Sequence, residues 1–174
     1  MFELDALDVR LLTELTERPR ANVVELSRVL EVSRATVQAR MDRLERGQVV
    51  TGYGPDVDLE QVGYTMTALV TLEIAQGRLL PVGAALAAVP QVVEAYGTTG
   101  PGDVFCRVVA RSHDELQGVL LRVSQIPDVT RSTSVVALTT LVTRRFLPLL
   151  HAERRPEPRR VKPHATATPE TPPR

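Results

Sequence analysis

Apolar residues recur at helical spacing through the first fifty positions, and then the period changes. Leu7, Leu11, Leu12 and Leu15 lie on one helical face, which predicts a helix over 5–17. Pro19 cannot continue it. Val23, Leu26, Val29 and Leu30 predict a second helix, with Asn22 as its N-cap. The stretch "EVS" turns the chain, and Ser33 is placed to cap a third helix. There Val37, Met41 and Leu44 fall at i, i+4 and i+7. Gly47 is expected to close this helix as its C′ residue. The segment "VVTGYGPDVDL" then reads as a strand, a Gly-containing turn and a return strand. Three helices and a hairpin predict a winged helix-turn-helix.

From Thr65 the period is 2. Met66, Ala68, Val70, Leu72 and Ile74 share one face of a strand. A helix is expected from about Leu79 to Ala88, a strand from Val92 to about Thr98, and a turn at "TGPGD". Val104, Cys106, Val108 and Ala110 alternate along the next strand. Ser112 can cap a helix over 113–124, and a long strand is expected from Arg131 to Thr143. The order β-α-β-β-α-β is that of a ferredoxin-like split βαβ fold. "VPQVVEAYGTT" from Val89 and "IPDVTRSTSVV" from Ile126 echo each other, each a helix end, a Pro and a strand. The fold class is therefore α+β. The expected divisions are a winged helix-turn-helix over 1–52, a linker with the wing's return strand over 53–64, the ferredoxin-like domain over 65–150, and a tail over 151–174. Six prolines among Thr, Arg and Glu leave the tail too little apolar surface to offset chain entropy, which predicts disorder.

Composition narrows the class. The 174 residues are 43% hydrophobic and 24% charged, as in a soluble globular protein. Trp is absent and aromatic residues are 3%, so Val, Leu, Ile and Ala must build the cores. No apolar run approaches the roughly 20 residues that span a bilayer, and the N-terminus lacks the pattern of a secretory signal. The lone Cys106 cannot form an internal disulfide, and a reducing cytoplasm fits. The formal net charge is zero, but the tail from Ala152 carries +3 and the remainder −3. DNA binding must therefore rest on local placement of arginine.

That placement is found after Ser33. At about 100° per residue, Ala35, Ala39, Asp42 and Arg46 lie opposite the apolar face, with Thr36, Gln38 and Arg43 on the flanks. Small residues at 35 and 39 admit close approach to base edges. Gln38 can pair with an adenine edge, and the Thr36 methyl can meet a thymine methyl. Arg34, Arg40, Arg43 and Arg46 can reach phosphates or guanines. The expected DNA contacts are Ser33, Arg34, Ala35, Thr36, Gln38, Arg40 and Arg43, on a pseudo-palindromic double-stranded site bound by a dimer with half-sites about 34 Å apart. The alternative is an ordinary surface helix with i, i+4 ion pairs, which Asp42 and Arg46 also fit.

On three stretches the sequence resembles the Lrp/AsnC (leucine-responsive, feast/famine) transcriptional regulators. "LDALDVRLLTELTERPRANVVELSRVLEVSRATVQARMDRLERGQVVTGYGPDVDLEQVGY" is similar to the family's N-terminal module and linker. "VVEAYGTTGPGDVFCRVVA" is similar to the middle of its effector-binding RAM domain, and "IPDVTRSTSVVALTTLV" to its last strand. The resemblance implies dimerisation through the sheets, assembly up to octamers, and an amino acid or related metabolite bound between RAM domains. The family's Gly-Asp-Tyr-Asp-like ligand turn falls on Gly100-Pro101-Gly102-Asp103, where Pro101 and Gly102 depart from it. Thr99, Gly100, Gly102 and Asp103, with Ser134 and Val136, are the effector-site residues it implies. Physically, such a turn offers N–H groups to a carboxylate and Asp103 to an ammonium; it can equally be a plain connection between strands.

Other chemistry is not legible. The three histidines are scattered and no metal-ligand spacing occurs. "GTTGPGD" has the wrong spacing for a phosphate loop, and no nucleophile elbow is present. No catalytic residue, metal or cofactor is expected, only a small-metabolite effector. The reading is a nucleoid-associated cytoplasmic regulator rather than an enzyme. Its rivals are an effector-independent architectural DNA-binding protein and a ferredoxin-like enzyme with a helical accessory module.

Overall fold

The computed structural model describes residues 2–152, and the expected disordered tail from 153 onward lies outside the described residues. The described residues divide into two units, 2–53 with 144–152, and 54–143.

In the first unit, α1 (Ala6–Glu17), α2 (Val23–Leu30) and α3 (Arg34–Arg46) form where the apolar spacing places them. Leu11, Leu12, Leu26, Leu30, Val37 and Leu44 are all buried in one cluster. Asn22 accepts N–H groups from Val24 and Glu25 while the Glu25 carboxylate takes the Asn22 N–H, a complete capping box. Three residues separate α2 from α3, and Glu31 makes the turn in left-handed conformation at φ 58°. Gly47 is the C-cap with negative φ, not the expected C′ residue; Gln48 is the left-handed one, at φ 54°. The Val49 N–H bonds to Leu44 O and the Gln48 N–H to Glu45 O, a Schellman pair. The absence of a side chain at 47 makes room for Phe2: a Cβ there would sit 2.3 Å from the Phe2 ring and displace it.

The expected wing is not a hairpin, because residues 47–65 form no strand. A two-stranded ribbon without a covered apolar face is marginal in water, and Tyr53 and Val57 are left exposed. The sequence pattern also misses α6 (Leu147–Ala152). Its Leu150 packs against the first unit's core, and His151 Nε2 lies 3.2 Å from Thr13 Oγ1 on α1. Residues 144–150 thus belong with the first unit and not with the ferredoxin-like domain, and the helix reaches past the expected boundary at 150. Pro148 obscures the helix in sequence but sits in its first turn, where a missing N–H costs nothing.

The second unit is a four-stranded antiparallel sheet in the order β2-β3-β1-β4, from β1 (Met66–Ile74), β2 (Val92–Gly97), β3 (Val104–Ala110) and β4 (Val129–Ala137). Helices α4 (Leu79–Ala87) and α5 (His113–Ser124) provide the crossovers. This is the ferredoxin-like βαββαβ arrangement. Ala68, Val70, Leu72, Val104, Cys106 and Val108 alternate inward and meet Val82, Leu86, Val119 and Val123 from the helices. The internal echo has a structural counterpart: the Val92 N–H bonds to Val89 O, and the Val129 N–H to Ile126 O. β4 stops at Ala137, short of the expected Thr143. Pairing with β1 ends at Thr67 opposite Ala137, so the residues beyond have no neighbouring strand in this sheet.

Candidate nucleic-acid interface and ligand turn

Ser33 opens α3. Its Oγ accepts the Thr36 N–H at 3.0 Å and lies 2.8 Å from Thr36 Oγ1. The cap fixes the start of the helix, and Val37 and Leu44 are its buried residues. What remains outward is Arg34, Ala35, Gln38, Ala39, Asp42 and Arg46, all exposed, with Thr36 half-buried. Gln38 Nε2 donates to Asp42 Oδ1 at 2.8 Å, which leaves its carbonyl oxygen and one N–H for a base edge.

Arg40 and Arg43 are placed differently from the expected DNA contacts. Both reach back to α1. Arg40 Nη1 donates to Asp5 Oδ2 and, at 3.1 Å, to Asp8 Oδ1. Arg43 Nη1 donates to Asp8 Oδ2 at 2.6 Å and Nη2 to Glu3 O at 2.9 Å, and its guanidinium lies 4.5 Å from the Phe2 ring centroid. The Asp8 side chain is fully buried. A buried carboxylate needs charge compensation, and these two arginines supply it. They hold α3 against α1 instead of facing outward.

Asp5 and Asp8, which position α3, are the residues that helical periodicity overlooks. Asp5 caps α1, accepting from Leu7 and Asp8 N–H, while Asp8 takes the Asp5 N–H in return. Partial burial pulls the Asp5 carboxyl upward, but the Asp8 N–H and the Arg40 guanidinium outweigh this and hold it below the usual carboxylate range. Its hydrogen bonds to the Asp5 and Asp8 carboxylates raise the Arg40 guanidinium further. The signal was present: Asp8 lies three and four residues before Leu11 and Leu12, on the apolar face.

The turn before β3 is built into the sheet. The Asp103 N–H bonds to Leu72 O, and Asp103 Oδ2 accepts the Ile74 N–H at 2.8 Å. Thr98 Oγ1 donates to Gly102 O at 2.7 Å. Gly102 is buried, and a Cβ there would come within 2.2 Å of Thr71 Cγ2. Gly100 adopts φ +121°, a conformation that favours glycine. Thr99, Gly100 and Pro101 are exposed. Ser134 and Val136 pair with Val70 and Ala68, so their side chains share the helix-facing side of the sheet. Ser134 lines a groove of about 460 Å³ between α5 and β4, with Gln117, Leu120, Leu121, Ser124 and Ser132. None of Thr99 to Asp103 lines it, so this groove does not unite the two sets of expected effector residues.

Among the described residues no cluster of His, Cys, Asp or Glu is arranged to hold a metal ion. No described helix is long and apolar enough to cross a membrane. Burial pushes the Cys106 thiol up to about 11.

Residues 4–45 match the model of the AsnC-type helix-turn-helix domain, and residues 67–147 the model of the Lrp/AsnC ligand binding domain. The HTH-type transcriptional regulator Rv2324 of Mycobacterium tuberculosis is 34% identical over 146 residues, 83% of this chain and 98% of that protein. The regulatory protein AsnC of Escherichia coli is 31% identical over 149 residues, 84% of this chain and 98% of that one. The structure of E. coli AsnC superposes with a TM-score of 0.79 at 28% identity, covering 84% of this chain and all of that one. A feast or famine regulatory protein from M. tuberculosis complexed with L-methionine superposes at 0.75 with 29% identity, covering 84% of this chain and 100% of that chain.

Proposed function

The chain belongs to the Lrp/AsnC family of transcriptional regulators, and from that premise we propose how it recognises DNA and what it responds to. Ser33 starts the reading helix. Arg34, Ala35, Thr36 and Gln38 enter the major groove, where the N-terminal part of such a helix meets base edges. The observation that carries this is the outward set on α3, held by a capped, apolar-anchored and arginine-clamped helix.

Two copies pair through the sheet face turned away from α4 and α5. Cross-strand pairs Leu69–Val135 and Tyr96–Phe105 lie on that face, and Tyr96 and Val135 are exposed in a single chain. Pairing presents two reading helices to a pseudo-palindrome, since one helix alone neutralises few phosphates.

The effector is an amino acid or a related metabolite, as the L-methionine bound by a structural relative suggests. Its carboxylate meets the exposed N–H groups around Thr99 and Gly100, and its ammonium the free lone pairs of Asp103. A second reading has a specific observation in its favour. Pro101 has no N–H to offer, Gly102 is buried, and Asp103 already serves Ile74. A regulator that binds DNA without an effector fits that arrangement.

Selection from random duplexes followed by footprinting tests the DNA reading. A pseudo-palindrome protected by a dimer is expected, and sequence-blind binding contradicts it. Calorimetric titration with the amino acids one by one separates the two effector readings: heat with one or a few supports the first, and none with any supports the second.

A further inference from the structure

Residues 2–53 contain eight arginines and no lysine. Arg40 and Arg43 are consumed by Asp5 and Asp8. Arg10 reaches the carbonyls of Val29 and Leu30 at the end of α2, at 3.5 and 3.3 Å. Arg46 Nε bonds to the backbone oxygen of Asp42. The side chains of Arg20, Arg28 and Arg34 donate to no other described residue, and Arg18, itself largely exposed, has one contact, with Glu14 Oε2 at 3.5 Å. Arg34 belongs to the reading helix. The other three come together elsewhere.

Arg18 and Arg20 from the α1–α2 connection converge with Arg28 of α2 on a depression of about 350 Å³, completed by Ala21, Glu25 and Val29. Glu25, the one acid in the lining, gives an oxygen to the Asn22 N–H at 2.9 Å. Three guanidinium groups around one concavity repel one another unless an anion lies between them, and the planar guanidinium fork matches phosphate oxygens. The location names the anion. In a helix-turn-helix the first helix of the pair crosses the sugar-phosphate backbone while the second enters the groove, and α2 is that first helix.

We propose that Arg18, Arg20 and Arg28 form a phosphodiester-binding site that grips the DNA backbone flanking the groove read by α3. This rests on the DNA-binding reading above and adds a sequence-independent contact that α3 does not supply. The site takes the part that Arg40 and Arg43, turned back to α1, leave unfilled.

The test measures affinity against salt, from 50 to 200 mM, for wild type and for Arg20→Ala/Arg28→Ala. Two duplexes are used: a fragment selected from random sequence and an unrelated one. Each phosphate contact contributes about 0.9 to the slope of log affinity against log salt. The double variant is expected to lose roughly ten-fold in affinity on both duplexes, with a slope shallower by about 1–2. Its melting temperature should not change. Arg20→Lys/Arg28→Lys should restore most of the slope, because the charge is kept. An unchanged slope in the alanine variant, with wild type still binding its selected site, overturns this backbone site and leaves the reading of α3 standing. A loss confined to the selected duplex overturns it too, since it would mark base readers. A wild type that retards neither duplex overturns both proposals together.

Discussion

In the second unit, the sheet and its helices meet through Val70, Leu72, Val108 and Val119, all closed to solvent and all aliphatic. The first unit is joined differently. Between the aliphatic contacts of α1, α2 and α3 it inserts a carboxylate, Asp8, fully buried and bridged by two arginines of the helix it positions. The contrast follows from the shapes involved. A sheet offers continuous apolar area on which register settles orientation. Three short helices offer little, and a helix of 13 residues with a mostly polar surface needs something directional to set its rotation. A buried ion pair is weak evidence for stability, yet it disfavours wrong arrangements that leave charges unpaired. Here it determines which arginines of α3 turn back to α1.

The largest effect that sharpens this contrast is removal of the clamp. Arg40→Ala/Arg43→Ala leaves the buried Asp8 carboxylate uncompensated and should destabilise the first unit by about 3–5 kcal/mol. Hydrogen exchange should show loss of protection in α1 and α3, with the sheet amides unaffected. Leu72→Ala is the matching change in the second unit, with an expected cost of about 2–5 kcal/mol from lost burial and a residual cavity. There the exchange pattern should reverse: sheet amides lose protection and α3 keeps it. Equal loss in both units from either variant would break the comparison.

Smaller effects concern the ends of helices. Ser33→Ala removes the cap of α3 and should cost about 1 kcal/mol, read as a lower denaturation midpoint with the slope unchanged. The acid response should also separate the units. Asp5 is held below the usual carboxylate range, so its contribution is complete above about pH 4 and lost as pH falls through its lowered folded value. Circular dichroism melts across that window should show the first unit loosening first, and Asp5→Asn should flatten the difference. Smallest of all is the response of Cys106. A buried thiol raised to about 11 should react negligibly with an alkylating reagent at pH 8 in the folded protein and fully in denaturant.

Much of this architecture was legible in sequence because it depends on period and caps. Asn22, Ser33 and Ser112 sit at the helix starts where capping chemistry places them. The alternation of Ala68, Val70 and Leu72 is the inner face of β1. What escaped depends on partners distant in sequence. Arg40 and Arg43 are identical to Arg34 as letters, and only their pairing with Asp8, 32 and 35 residues away, decides that they turn back to α1. β4 ends early because β1 does, which the apolar run beyond Ala137 does not reveal. Gly102 read as part of a ligand turn that offers N–H groups, but its lack of a side chain serves close packing on Thr71.

The partition of arginines is tested most directly by measuring melting temperature and DNA affinity together for Arg34→Ala and for Arg40→Ala/Arg43→Ala. The arrangement of α3 predicts that Arg34→Ala weakens DNA binding with melting unchanged. The clamp variant should lower the melting temperature of the first unit, with any loss of affinity following from that loss of order. A clamp variant that melts like wild type yet fails to bind DNA would contradict the account, because Arg40 and Arg43 would then be contacts and not supports.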